Sequence, residues 1–133
     1  MRMTCDLPDD AECCEVVLDA LVEVARKIIR ELDLAPFPQE VNGVWYKLEP
    51  EGEEDWKLPH NVIRDGWGDC EDMCIYHCAG LRETGEDPGA MCRIVRTARN
   101  KLHCVVQRSD GTFDDPSIDM MKPEDLRRFT DAR

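Results

Sequence analysis

A chain of 133 residues can bury one hydrophobic core and has no room for a second domain of ordinary size, so residues 1–133 read as a single domain. Its 29 acidic and 17 basic residues give a net charge of -12, which repels a phosphate backbone and an anionic bilayer surface and argues against nucleic-acid and membrane partners. No apolar run approaches the roughly 20 residues that span a bilayer, and the opening MRMTCDLPDDAEC lacks the apolar stretch of a signal peptide. A cytoplasmic location is expected, where the eight cysteines stay reduced. They then read as buried small residues, metal ligands or a nucleophile rather than a disulfide framework.

Residues 11–33 carry apolar side chains at helical spacing. Val17, Leu21, Val24, Ile28 and Leu32 fall on one face, flanked by Cys13, Cys14 and Ala25, and this stripe is expected to meet the core. Asp9 and Asp10 suit the helix start, and APFP at 35–38 ends it, which makes 1–38 an N-terminal helical segment. Residues 39–66 read as irregular, with a short strand in VWYKL (44–48), an acidic loop in EPEGEEDW and a helical turn after Pro59. A second helix is expected from Asp69, a good N-cap with Asp72 three residues on, to Glu83, where TGEDPG stops it. MCRIVRT and LHCVVQR read as strands, and SDGTFDDP as a turn and a third strand. Ser109-Asp110-Gly111 fits a three-residue hairpin loop with Gly111 left-handed. KPEDLRRF is expected to close the chain as a short helix from Pro123.

The stretch GDCEDMCIYHC, 68–78, carries the chemistry. At 100° per residue, Cys70, Met73, Cys74, His77, Cys78 and Leu81 share one face, expected to press on the sheet. Cys74, His77 and Cys78 have a spacing that could supply metal ligands from one helix. A structural zinc needs four ligands, commonly from paired short loops, and the chain has no Cys-x2-Cys knuckle. Neither a metal nor an organic cofactor is expected. Cys74 and Cys78 read instead as small buried hydrophobes, with the His77 ring hydrogen-bonded nearby.

Cys70 differs from both. It sits in the first helical turn, where unpaired N–H groups and the positive end of the dipole favour a thiolate. A thiol nucleophile wants a base, and His77, seven residues on, lies roughly 10 Å up the axis and out of reach. His60 is possible from a loop. His103 is better placed by kind, on a strand packed against the helix. A histidine base is oriented by a third group, and Asp114 and Asp115 follow on the partner strand. A three-residue loop pairs Arg108 with Thr112 and Val105 with Asp115, which sets Asp115 diagonal to His103 on the same face. A two-residue loop would bring Asp114 there instead. Ser-Asp-Gly-Thr favours the first.

The ordered set Trp56-Lys-Leu-Pro59, GWGDCEDMCIYHCAGLRETGEDP, RIVRT and LHCVVQRSDGTFDDPS, over 56–117, resembles the transglutaminase-like superfamily. The likeness is greatest to the bacterial transglutaminase-like cysteine proteinases, which include phage-encoded forms. The resemblance implies an α+β, papain-like fold, in which the nucleophilic cysteine opens a helix packed on a small antiparallel sheet that carries the histidine and the aspartate. It implies Cys70 as nucleophile, His103 as general base and then acid, and Asp115 as orienting carboxylate. The implied partner is a protein or peptide substrate, attacked at an amide. Cys74, Met73 and Cys104 stand where the family commonly has alanine, an aromatic and alanine, changes conservative in volume. The oxyanion would be held by the Cys70 backbone N–H and a second donor, for which Trp56 or Trp67 could offer an indole N–H. The alternative is a non-catalytic binding or assembly protein that keeps the fold. Nothing in the sequence sets the oligomeric state.

Overall fold

A computed structural model describes residues 11–48, 55–97 and 102–131, without the side chains of 128–131. Asp9, Asp10 and most of the acidic loop lie outside the described residues. The elements are α1 (Ala11–Glu31), a 3-10 turn (Pro38–Glu40), β1 (Trp45–Tyr46), α2 (Pro59–Asp65), β2 (Trp67–Gly68), α3 (Cys70–Glu83), β3 (Met91–Arg96), β4 (Leu102–Gln107), β5 (Phe113–Asp114), α4 (Pro116–Asp119) and α5 (Pro123–Asp131). The class is α+β. β3, β4 and β5 form an antiparallel sheet in that order, while β1 and β2 form a separate parallel pair that the sequence did not suggest. Among the described residues no helix is long and apolar enough to cross a membrane.

α1 faces the core with a different stripe from the one expected. Leu18, Leu21, Val22, Ala25 and Ile29 are buried, whereas Val24 is 42% and Leu32 56% exposed. Cys13 is exposed as well. The helix is turned by roughly one residue step. The reason lies on α3, with which α1 packs. Arg82 reaches Asp19 (2.6 Å) and Glu23 (3.2 Å), and Glu83 receives Arg26 (3.1 Å) and Arg30 (2.9 Å). Those four α1 residues form a charged stripe of their own, and the turn brings it beside the end of α3.

α3 is the centre of the molecule. It was expected to bury one face, yet every residue from Asp72 to Leu81 is buried. α1 packs on one side, β3 and β4 on another, and α4 and the 3-10 turn close the rest. Its composition permits this, because small and neutral side chains surround it and its charges sit at the two ends. The chain after α1 lies directly on the helix. The Tyr76 hydroxyl donates to Ala35 O at 2.7 Å, and a Cβ on Gly80 would run into Pro36 O and the Phe37 ring. Glycine is required here by close approach of backbone.

The β4–β5 register is the expected one, with Val106 facing Asp114, and across β3 and β4 Val95 faces His103. The hairpin loop has three residues: Arg108 N–H donates to Thr112 O at 2.8 Å, and Gly111 has φ 89°. β5 stops after two residues, because Pro116 has no N–H to continue a ladder. Pro116 instead opens α4, a short helix that the sequence reading did not include.

Candidate active site

The start of α3 is fixed by a reciprocal cap. Asp72 N–H donates to Asp69 Oδ1 (3.1 Å) and Asp69 N–H to Asp72 Oδ2 (3.0 Å), as the Asp-x-x-Asp spacing suggested. The other oxygen of Asp72 accepts the Lys57 amide at 2.6 Å. Burial, and then the charge of Asp69, push Asp72 up to about 9, against the two amides that favour its ionised form. Asp72 therefore keeps its proton at neutral pH. The cap engages the amides of Asp69 and Asp72, and Met73 N–H donates to Asp69 O. None of these acceptors takes the Cys70 amide.

Cys70 is 9% exposed. Its Sγ–H donates to Glu71 Oε2 at 3.2 Å, and the Cys104 backbone N–H is directed at Sγ. The sheet explains the second contact. Ile94 N–H turns away from β4 to Glu15 Oε2 (2.9 Å), so Ile94 and Cys104 are a non-hydrogen-bonded pair and the Cys104 amide points off the far edge of β4. Residues 106 and 108 use that edge to bind β5 and the hairpin. β5 ends too soon to reach Cys104, and Cys70 Sγ takes its place. The nucleophile candidate is thus held against the residue that follows His103.

The His103 ring is paired through Nε2 with Asp115 Oδ2 at 2.8 Å. A proton exchanged with Cys70 must therefore pass through Nδ1. Asp115 occupies the N-cap position of α4 yet makes no cap hydrogen bond, since its carboxylate is turned to His103 instead. Its second oxygen is buried and has no partner among the described residues. Asp114 goes elsewhere: its Oδ2 accepts from His77 Nε2 (2.8 Å) and Arg108 Nε (2.8 Å). Gln39 Nε2 lies 3.2 Å from His77 Nδ1, so both ring nitrogens of His77 are engaged in structure. His60 is on α2, not in a loop, and its Nδ1 is buried without a partner among the described residues.

The thiolate expected from the helix dipole is not the resting state. Burial pushes the Cys70 thiol well above its ordinary range, and the carboxylates of Glu71 and Asp69 add to the rise. A helix N-terminus supplies about half a unit charge, and here it faces desolvation and two acidic neighbours. Cys74 and Cys78 are buried small residues in a line of thiols. Cys74 touches Cys104, Cys104 touches Cys92, and Cys92 touches Cys78. Among the described residues no group of three or more His, Cys, Asp or Glu is placed to hold a metal ion.

Two further groups border the site. Trp56 is buried and its Nε1 has no partner among the described residues. It adjoins Lys57, whose amide is tied to Asp72 in the first turn of α3. Trp67 has its ring covered by Lys57 (3.1 Å from Nζ to the centroid) and Lys47 (5.2 Å). Of the two indoles, Trp56 is the one whose N–H is buried without a partner among the described residues. Tyr46 lies near Cys70, Asp69 and Glu71, and its hydroxyl is pushed up chiefly by burial. Sequence reasoning missed Tyr46, Glu71 and the Cys104 amide. Only Glu71 left a signal, by its position next to Cys70. Comparison of the chain with protein-family models, with curated proteins and with solved structures gives no match.

Proposed function

We propose that this protein is a cysteine-dependent acyltransferase or hydrolase of protein or peptide amides, built on a transglutaminase-like, papain-like arrangement. The observation that carries the reading is the pair His103–Asp115 at 2.8 Å, with Cys70 Sγ on the adjoining Cys104 amide. Cys70 passes its proton to His103 Nδ1, and Sγ attacks the amide carbon. The oxyanion is received by the Cys70 N–H and by Trp56 Nε1–H, the latter a buried donor without a partner among the described residues. His103 returns the proton to the leaving amine as the C–N bond breaks, and a thioester remains on Cys70. Water or a second amine, deprotonated by His103, attacks the thioester and releases the acid or the new amide. Asp115 holds the ring and stabilises the charge that it takes up.

The test is acylation by p-nitrophenyl acetate, followed as nitrophenolate release and as acetylated peptides, with exposed Cys13 as internal reference. Cys70 acylates faster than Cys13 and loses at least about a hundredfold in His103→Ala. Acylation of Cys70 that ignores His103 removes the reading. One observation favours the rival, a non-catalytic binding protein: Cys70 is buried and holds its proton. The rival predicts no reaction at Cys70 in either protein.

A further inference from the structure

Glu71 needs an explanation that the cap does not give. The reciprocal cap uses Asp69 and Asp72, and Glu71 stands outside it, half-buried, with the Cys70 thiol on its Oε2. No Lys or Arg of the described residues pairs with it. A thiol is a weak donor, so a carboxylate left with one is poorly satisfied, and a cationic hydrogen-bond donor would displace it. The other groups facing Sγ are Asp69 in the cap, Tyr46 on β1, and on β4 the Cys104 amide beside the His103–Asp115 pair. None of them carries a fixed positive charge. The net charge of -12 favours encounter with basic segments.

We propose that Glu71 gates Cys70: its carboxylate holds the Sγ proton in the resting site, and a Lys or Arg side chain of the substrate draws it away, so that the proton passes to His103 Nδ1. This rests on reading Cys70 as the nucleophile of acyl transfer. Glu71 is a positioning residue in this scheme. It acts through Cys70 and takes no part in bond making. Its motion exchanges one hydrogen bond for an ion pair, and no proton leaves the Cys70–His103 pair. The direction of the Cys70 shift, upward from burial and then from Glu71, agrees with a carboxylate that opposes ionisation.

The experiment is alkylation, which needs no acyl transfer. Rates at Cys70 relative to Cys13 are measured against pH with iodoacetamide, in the wild type, Glu71→Gln, Glu71→Ala and the remote control Glu31→Gln. Both Glu71 variants move the Cys70 profile to lower pH and raise the rate at pH 7 by about tenfold or more. Glu31→Gln leaves it in place. Cationic 2-bromoethylamine is then compared with anionic iodoacetate. Wild-type Cys70 prefers the cation several-fold relative to Cys13, and Glu71→Gln loses the preference. A profile that is the same with and without Glu71 overturns the gate, and an absent charge preference overturns the cationic opener. The acylation assay fails independently: Glu71 dependence without His103 dependence would keep the gate and remove the enzyme.

Discussion

Asp114 and Asp115 are neighbours in sequence with opposite assignments, and exchanging each for alanine separates them. Asp115→Ala removes the carboxylate from His103 Nε2. A hydrogen bond to a charged group is worth about 1.5–3 kcal/mol. If that energy orients the ring for proton transfer, its loss slows Cys70 acylation roughly ten- to a hundredfold at 1.36 kcal/mol per factor of ten. Stability changes little, within about 1 kcal/mol. The lost bond is offset by removal of a carboxylate whose other oxygen is buried without a partner, and α4 loses no cap because Asp115 makes none. Asp114→Ala behaves in the opposite way. It strips the partner from Nε2 of His77, which is 8% exposed, and from Arg108. The first costs about 1–3 kcal/mol as an unpaired buried donor, and the second adds less than about 1 at a part-exposed ion pair. Urea denaturation should show Asp114→Ala about 2–3 kcal/mol less stable, with Cys70 acylation per folded molecule unchanged. If Asp114→Ala abolishes acylation and Asp115→Ala leaves it intact, the assignment of the two carboxylates is reversed and the argument from hairpin register is wrong.

Asp72 gives a pH test. Its folded value of about 9 lies above the roughly 3.9 of an unfolded aspartate, so between those limits the folded state binds the extra proton. Its contribution is full below the ordinary carboxylate range and is lost as pH rises towards 9. The thermal midpoint of the wild type should therefore fall from pH 6 to pH 9 more steeply than that of Asp72→Asn, and equal slopes would falsify this. Asp72→Ala leaves the buried amides of Lys57 and Asp69 without their acceptor and should cost about 2–4 kcal/mol by urea denaturation. Gly80→Ala drives a methyl into Pro36 O and the Phe37 ring, and calorimetry should show a loss of about 2–3 kcal/mol. Trp56→Phe removes the N–H together with the five-membered ring that carries it, so acylation per folded molecule should drop about a hundredfold. An equal drop in Trp67→Phe would deny Trp56 its special place.

What was legible in the sequence is what short-range geometry decides. The Asp69–Asp72 cap depends on four consecutive residues, and the pairing of His103 with Asp115 depends on the loop length at Ser109–Gly111. The cap followed from spacing, and the choice of Asp115 over Asp114 from loop length, while His103 itself was chosen over His60 by its place on a strand and by the family resemblance. The face of α1 did not, because apolar residues cover more than one stripe, and the choice is made by Arg82 and Glu83 more than 50 residues away. Full burial of α3 was hidden in the same way, since it needs the Ala35–Phe37 segment laid across Gly80. β1 was expected within VWYKL, but its partner β2, with two residues, is too short to show a period, so their parallel pairing was not legible. The protonation of Cys70 was misjudged from a local effect, the dipole, when tertiary burial and the reach of Glu71 decide it.

The distribution of unsatisfied groups argues for chemistry at the start of α3. At its far end Arg82 and Glu83 are met by four charged partners on α1. Around its start and the β5–α4 junction, Trp56 Nε1, Asp115 Oδ1 and Ser117 Oγ are all buried without partners among the described residues. Left unpaired, each costs about 1–3 kcal/mol, as does His60 Nδ1 on α2. Phenylalanine at 56 and alanine at 117 would remove two of these polar atoms. Asp115 also forgoes a cap worth about 1 kcal/mol to face His103. The proposed acyl transfer would use two of these residues, Asp115 to hold the His103 ring and Trp56 to receive the oxyanion.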